Sequence, residues 1–87
     1  MEIIVKFMHP TNNMVSDIAV EETMTINDMI EELIEANFMN RIPNGYEAVL
    51  KDGRDPIQMD LNKTLAENGG HAGSTIRLTC ATIAGYK

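Results

Sequence analysis

Ile3, Val5 and Phe7 occupy alternate positions in the run Glu2 to Met8, which is rich in β-branched and aromatic residues. A period of two in such a run predicts a first strand with those three side chains on one face. His9-Pro10-Thr11-Asn12-Asn13 then supplies turn residues. Beyond them, Met14 to Val20 sets Ile18 and Val20 on one face and Asp17 and Ala19 on the other. The two runs predict an antiparallel hairpin.

The period then changes. Ile26, Met29, Ile30, Leu33 and Ile34 recur at i, i+3, i+4, i+7 and i+8, while Glu31, Glu32 and Glu35 fall on the other side. This is the stripe of an amphipathic helix that covers a sheet. Thr25 with Asp28 three residues on forms a capping-box pattern at its start. Ile42-Pro43-Asn44-Gly45 is a break, since a proline disfavours the α conformation in the residue before it, and the helix is expected to end by about Phe38.

Tyr46 to Lys51 reads as a third strand, Asp52-Gly53-Arg54-Asp55 as a tight turn, and Pro56 to Met59 as a short edge strand that tolerates proline at its start. Leu61 to Asn68 is expected to form a short helical or 3₁₀ piece, followed by a Gly69–Gly73 loop. Ser74 to Cys80 alternates Ile76, Leu78 and Cys80 against Thr75, Arg77 and Thr79, which predicts the last strand. The order β-β-α-β-β-(short helix)-β gives an α+β domain, a mixed sheet of about five strands with one helix across one face. The first and last strands are expected side by side at its centre. The helix stripe should pack on Ile3, Val5, Ile18, Val20, Val49, Leu65, Ile76 and Leu78. Cys80, on the face of Ile76 and Leu78, is expected to be a small buried hydrophobe.

With 87 residues the chain has room for one core, and a large multi-layer enzyme is excluded. Thirteen acidic residues against seven basic ones give a net charge of -6, which works against binding a phosphate backbone, so nucleic acid is not expected as a partner. No segment reaches the ~20 apolar residues of a membrane span, and no membrane partner is expected. The opening MEIIVKF lacks a basic n-region and an apolar stretch, which points to the cytoplasm. The single cysteine cannot form an internal disulfide or a cysteine-based metal site. His9 and His71 stand in predicted loops without a ligand partner at metal spacing, so neither metal nor cofactor is expected. No Ser/His/Asp arrangement or phosphate loop is visible, and the chain is not expected to be an enzyme.

At this point the chain resembles ubiquitin and the ubiquitin-like β-grasp family. MEIIVK is similar to the ubiquitin opening strand, and Thr25-Ile26 with Asn27-Asp28 resembles the start of its helix. Val49-Leu50-Lys51-Asp52-Gly53-Arg54 is similar to the strand and turn that carry its recognition surface. From Thr64 to Gly85 the similarity runs without a gap, from the last short helix through the final strand to the terminal glycine. The domain is expected over residues 1–81, and residues 82–87 are expected to form a flexible tail.

The resemblance implies a site at that tail. A modifier's last residue must thread a narrow channel to be adenylated and passed to a thiol, and glycine has no Cβ to obstruct it. Gly85 is the expected conjugation residue, and a peptidase would cut between Gly85 and Tyr86. Ala84 stands in place of the first glycine of the usual pair, and Ala81 and Ile83 stand where the ubiquitin tail has arginines. This points to a dedicated bacterial-type set: an activating enzyme, a conjugating enzyme, a JAB-type peptidase and target proteins. Met8, Leu50, Thr79 and Ile83 are the expected partner-binding residues, the first three grouped on the sheet face away from the helix. Two other β-grasp roles compete: a non-covalent binding module resembling the YukD-like proteins linked to secretion, and a ThiS/MoaD-like sulfur carrier, which needs a bare terminal Gly-Gly.

Overall fold

Strand β1 (Glu2–Met8) pairs antiparallel with β2 (Val15–Glu21) in a register that runs from Glu2 opposite Glu21 to Met8 opposite Val15. The computed structural model describes residues 1–53 and 55–80. The hairpin closes through the His9 N–H, which donates to the Met14 carbonyl at 2.7 Å. Asn13 takes φ of +60°, which asparagine tolerates better than other residues with a side chain.

The helix α1 (Ile26–Glu35) starts as its sequence predicts. Thr25 Oγ1 accepts the Asp28 N–H at 3.2 Å, and the Asp28 carboxylate accepts the Thr25 N–H at 3.4 Å. Each satisfies a donor that the first turn leaves without a helical partner. Thr25→Ala should therefore lower stability by about 1 kcal/mol, measured as a shifted urea midpoint with an unchanged slope. The helix stops at Glu35, just past its last apolar position Ile34 and within the expected bound of about Phe38, because Asn37 turns left-handed at φ of +64°. The Phe38 N–H then donates to the Leu33 carbonyl at 3.0 Å and the Asn37 N–H to the Ile34 carbonyl at 3.1 Å. This is the Schellman closure, with asparagine in the glycine place.

Strands β3 (Tyr46–Leu50), β4 (Ile57–Gln58) and β5 (Thr75–Cys80) complete one sheet in the order β2-β1-β5-β3-β4, and a single 3₁₀ turn, Ala66–Asn68, precedes β5. The central pair β1 and β5 is parallel and the other pairs are antiparallel. A parallel pair needs a long crossover, and α1 lies within that crossover.

The core forms between helix and sheet. Ile26, Met29, Ile30 and Leu33 of α1 are buried, as are Val5, Phe7, Val20, Ala48, Leu50, Ile76 and Leu78 of the sheet. Met39, Met59 and Leu65 close its margins, and Ile3, Ile18 and Ile34 pack against it half-buried. Three expected positions differ. Val49 lies outside this core and Leu50 within it, because β3 pairs Ala48 with Leu78 and Leu50 with Ile76, which fixes the inward face of β3. Cys80 is exposed, since it ends its strand opposite Tyr46, the first residue of β3.

Candidate functional site

The sheet surface away from α1 is built by the residues that alternate with the core. Cross-strand pairing sets Val15, Met8, Arg77, Val49 and Gln58 in one row across all five strands. Val15 and Ile4, also on this face, are 47% and 49% exposed, while Met8, Arg77, Val49 and Thr79 are half-buried. Thr79 sits opposite Glu47, two pairs along from Arg77 and so on the same face. The row thus presents aliphatic side chains around one guanidinium, with the Lys6–Asp17 ion pair beside it at 3.0 Å. Such a surface suits an apolar partner segment that carries an acidic group.

Met8 and Thr79 lie on this outer face, as expected from the sequence. Leu50 does not. It is 2% exposed and belongs to the core, so it cannot meet a partner there, and Val49 holds the outward place beside Arg77. A one-residue change of face is enough to exchange the two. The sequence contained a signal for this: Glu47 and Lys51 share the face of Val49, and turning Val49 inward would have dragged both charges toward the core. Arg77 and Val15 were not singled out by sequence, since their adjacency depends on the pairing of β1 with both β2 and β5. Ile83, Gly85 and Tyr86 lie outside the described residues, as does Arg54.

A second grouping appears at the joint of β3 and β5. Asp52 accepts the Ser74 hydroxyl and, at 2.9 Å, the Thr75 N–H, and the His71 N–H donates to Ser74 Oγ at 2.9 Å. His71 Nε2 stands 3.6 Å from the Asp52 carboxylate. Three residue types of a hydrolytic triad are therefore together, which sequence reading had not found. Their order is wrong for catalysis. The serine is 1% exposed and bonds the carboxylate directly, so the imidazole cannot take its proton. The cluster clasps the loop before β5 to the end of β3.

On the helix side, a cleft of about 210 Å³ opens between α1 and the segment before β3, lined by Ile30, Ile34, Ile42 and Tyr46. Arg41 meets Glu31 at its edge through two bonds, of 3.0 and 2.6 Å. The hydrogen bond from Arg41 holds the Glu31 carboxyl below its ordinary range and raises the guanidinium in turn. Both groups are exposed, so the pair adds little stability. The Tyr46 hydroxyl donates to the Asn40 carbonyl, and burial pushes this phenol up. At the other end of the sheet, the Met1 ammonium stands 3.1 Å from Glu21, and this hydrogen bond raises it. Among the described residues no three His, Cys, Asp or Glu side chains gather as a metal site, and no helix is long and apolar enough to cross a membrane.

The architecture has close parallels among solved structures. A de novo design based on ubiquitin superposes with a TM-score of 0.70 over 99% of this chain and 96% of its own, at 20% identity. A second computational design, on the template of human erythrocytic ubiquitin, gives 0.58 over 99% and 98%, at 22% identity. The fold is ubiquitin-like. The same ubiquitin-like fold matches a chain of a toluene 4 monooxygenase HD complex with the inhibitor 4-bromobenzoate, with a TM-score of 0.74 over 93% of this chain and 100% of that one, at 11% identity. No protein-family model and no curated protein matches the sequence. At these identities the likeness is one of fold, and function rests on the residues that the fold presents.

Proposed function

We propose that this protein is a bacterial ubiquitin-like modifier, trimmed after Gly85 and joined through that carboxylate to amines or hydroxyls of target proteins. The observation that carries the reading is the gapless resemblance from Thr64 to Gly85, which spans the 3₁₀ turn and the central strand β5. That strand ends at Cys80, so Gly85 follows five residues after it. Five residues reach about 17 Å at full extension, enough to carry a carboxylate away from the sheet and into an enzyme channel.

The chemistry is performed by partner enzymes in the cytoplasm. A JAB-type peptidase would hydrolyse the Gly85–Tyr86 bond with water and free the carboxylate. An activating enzyme would then exchange the pyrophosphate of ATP for the Gly85 carboxylate, giving an acyl-adenylate. A cysteine thiolate would displace AMP to form a thioester, and a target nucleophile would displace the thiol with the help of a conjugating enzyme. Within this sequence Gly85 supplies the reacting group and the outer row around Val49 and Arg77 supplies a docking face. The chain itself needs no cofactor.

Pyrophosphate exchange with the activating enzyme of the source cell tests this reading. A chain ending at Gly85 should support ATP-dependent exchange, and one still carrying Tyr86 and Lys87 should not. Equal exchange, or none with either form, would count against it. A second reading, a non-covalent binding module, is favoured by one finding: the fold match, over 93% of this chain, to a chain of an enzyme complex. That module would copurify with its partner through the outer face, with no covalent adduct.

A further inference from the structure

Two asparagines in this chain precede glycine, Asn44–Gly45 and Asn68–Gly69. This is the pairing in which a main-chain nitrogen meets least obstruction on its way to the neighbouring side-chain amide, because glycine has no Cβ. The fold treats the two differently. The Asn68 amide nitrogen donates to the carbonyls of Asp60 at 3.0 Å and Thr64 at 2.9 Å, and its oxygen accepts the Asp60 N–H at 2.7 Å. The Gly69 N–H is also engaged, with the Ala66 carbonyl at 3.0 Å. Asn44 is exposed. The side-chain bonds of its segment join Arg41 to Glu31 and Tyr46 to the Asn40 carbonyl, and among the described residues none involves the Asn44 amide. The Gly45 N–H donates to the Ile42 carbonyl at 3.1 Å, the one bond to be opened before that nitrogen can react.

We infer that Asn44 is a site of spontaneous deamidation in the folded protein, and that the fold protects Asn68. The Gly45 nitrogen, having given its proton to hydroxide, attacks the Asn44 side-chain carbonyl carbon. A carbon–nitrogen bond closes a five-membered imide, and the side-chain carbon–nitrogen bond breaks. The leaving nitrogen takes up a proton and departs as ammonia. Water then opens the imide at either carbonyl and leaves aspartate or isoaspartate. The net reaction consumes one water, releases one ammonia and involves no oxidation. Asp52–Gly53 could isomerise by the same route, but its carboxylate is held by Ser74 and Thr75.

The position gives the reaction a local consequence. Asn44 lines the cleft that Glu31 and Arg41 border, so a new carboxylate there would compete for the same guanidinium. Isoaspartate would also lengthen the main chain just ahead of Tyr46, where β3 begins.

Peptide mapping by mass spectrometry of the whole chain, aged in mildly alkaline buffer, tests the inference. In the native protein Asn44 should convert at least roughly tenfold faster than Asn68, since three side-chain hydrogen bonds must open at Asn68 and, among the described residues, none at Asn44. In denaturant the two rates should converge. Asn44→Gln should abolish the fast conversion and leave the Asn68 peptide unchanged. Equal native rates would overturn the inference, and so would a native Asn44 that stays intact while the denatured chain converts. A tenfold ratio that persists in denaturant would place the cause in local sequence and overturn the role of the fold.

Discussion

Phe7→Ala should remove about 3–5 kcal/mol of stability, the range for deleting a fully buried aromatic ring. Phe7 is wholly buried on β1, the strand that is paired on both sides, with Ser16 on one neighbour and Ile76 on the other. Neither neighbouring strand can collapse into the vacated space without breaking its own pairing, so both the transfer loss and the cavity remain. A small domain has about 5–15 kcal/mol of stability in all, and this substitution should bring it near the edge of folding. Urea titration measures it as a lowered midpoint. A loss below about 1 kcal/mol, typical of a surface change, would mean that Phe7 is outside the core.

The two faces of β3 should respond oppositely to the same substitution. Leu50→Asp places a carboxylate among Ile76 and the other residues of the core. An ion there without a partner costs several kcal/mol, and the variant should be largely unfolded. Val49→Asp puts the same group on the outer face opposite Arg77, where water and the guanidinium can meet it. Its cost should stay near about 1 kcal/mol, the span of strand preferences. Circular dichroism with urea titration compares them. An unfolded Val49→Asp beside a folded Leu50→Asp would reverse the faces of the strand.

That reversal is the one the sequence invited. Placing Val49 in the core went together with the resemblance of Leu50 to an exposed recognition residue, since neighbours on a strand take opposite faces. The charges on either side of Val49 argued the other way, and register decided it. The elements themselves were legible where a single local rule sufficed. The capping box at Thr25 marked the helix start, and alternation in Glu2–Met8 marked β1. The helix end was legible only as a bound near Phe38, because an asparagine can either continue a helix or turn left-handed, and Asn37 does the latter. Cys80 had the right parity and the wrong exposure, since alternation says nothing of where a strand runs out of neighbours. The clasp of Asp52, His71 and Ser74 was invisible because Asp52 is far from the other two in sequence and meets them only through the β3–β5 pairing. The candidate docking row was half legible. Met8 and Thr79 follow from alternation along one strand, whereas Arg77 and Val15 join them through neighbouring strands.

The proposed function turns on whether Gly85 becomes bonded to other proteins, and trypsin offers a direct view of that bond. The last arginine is Arg77, and the next lysine or arginine after it is Lys87. A target lysine joined to Gly85 should therefore carry the remnant Leu78–Gly85 after digestion. Mass spectrometry of the tagged protein recovered from its own cells, with its partners attached, should find that remnant on lysines of other proteins. Recovery of the Leu78–Lys87 peptide alone, with no remnant on any partner, would contradict conjugation and leave the non-covalent module as the function of this fold.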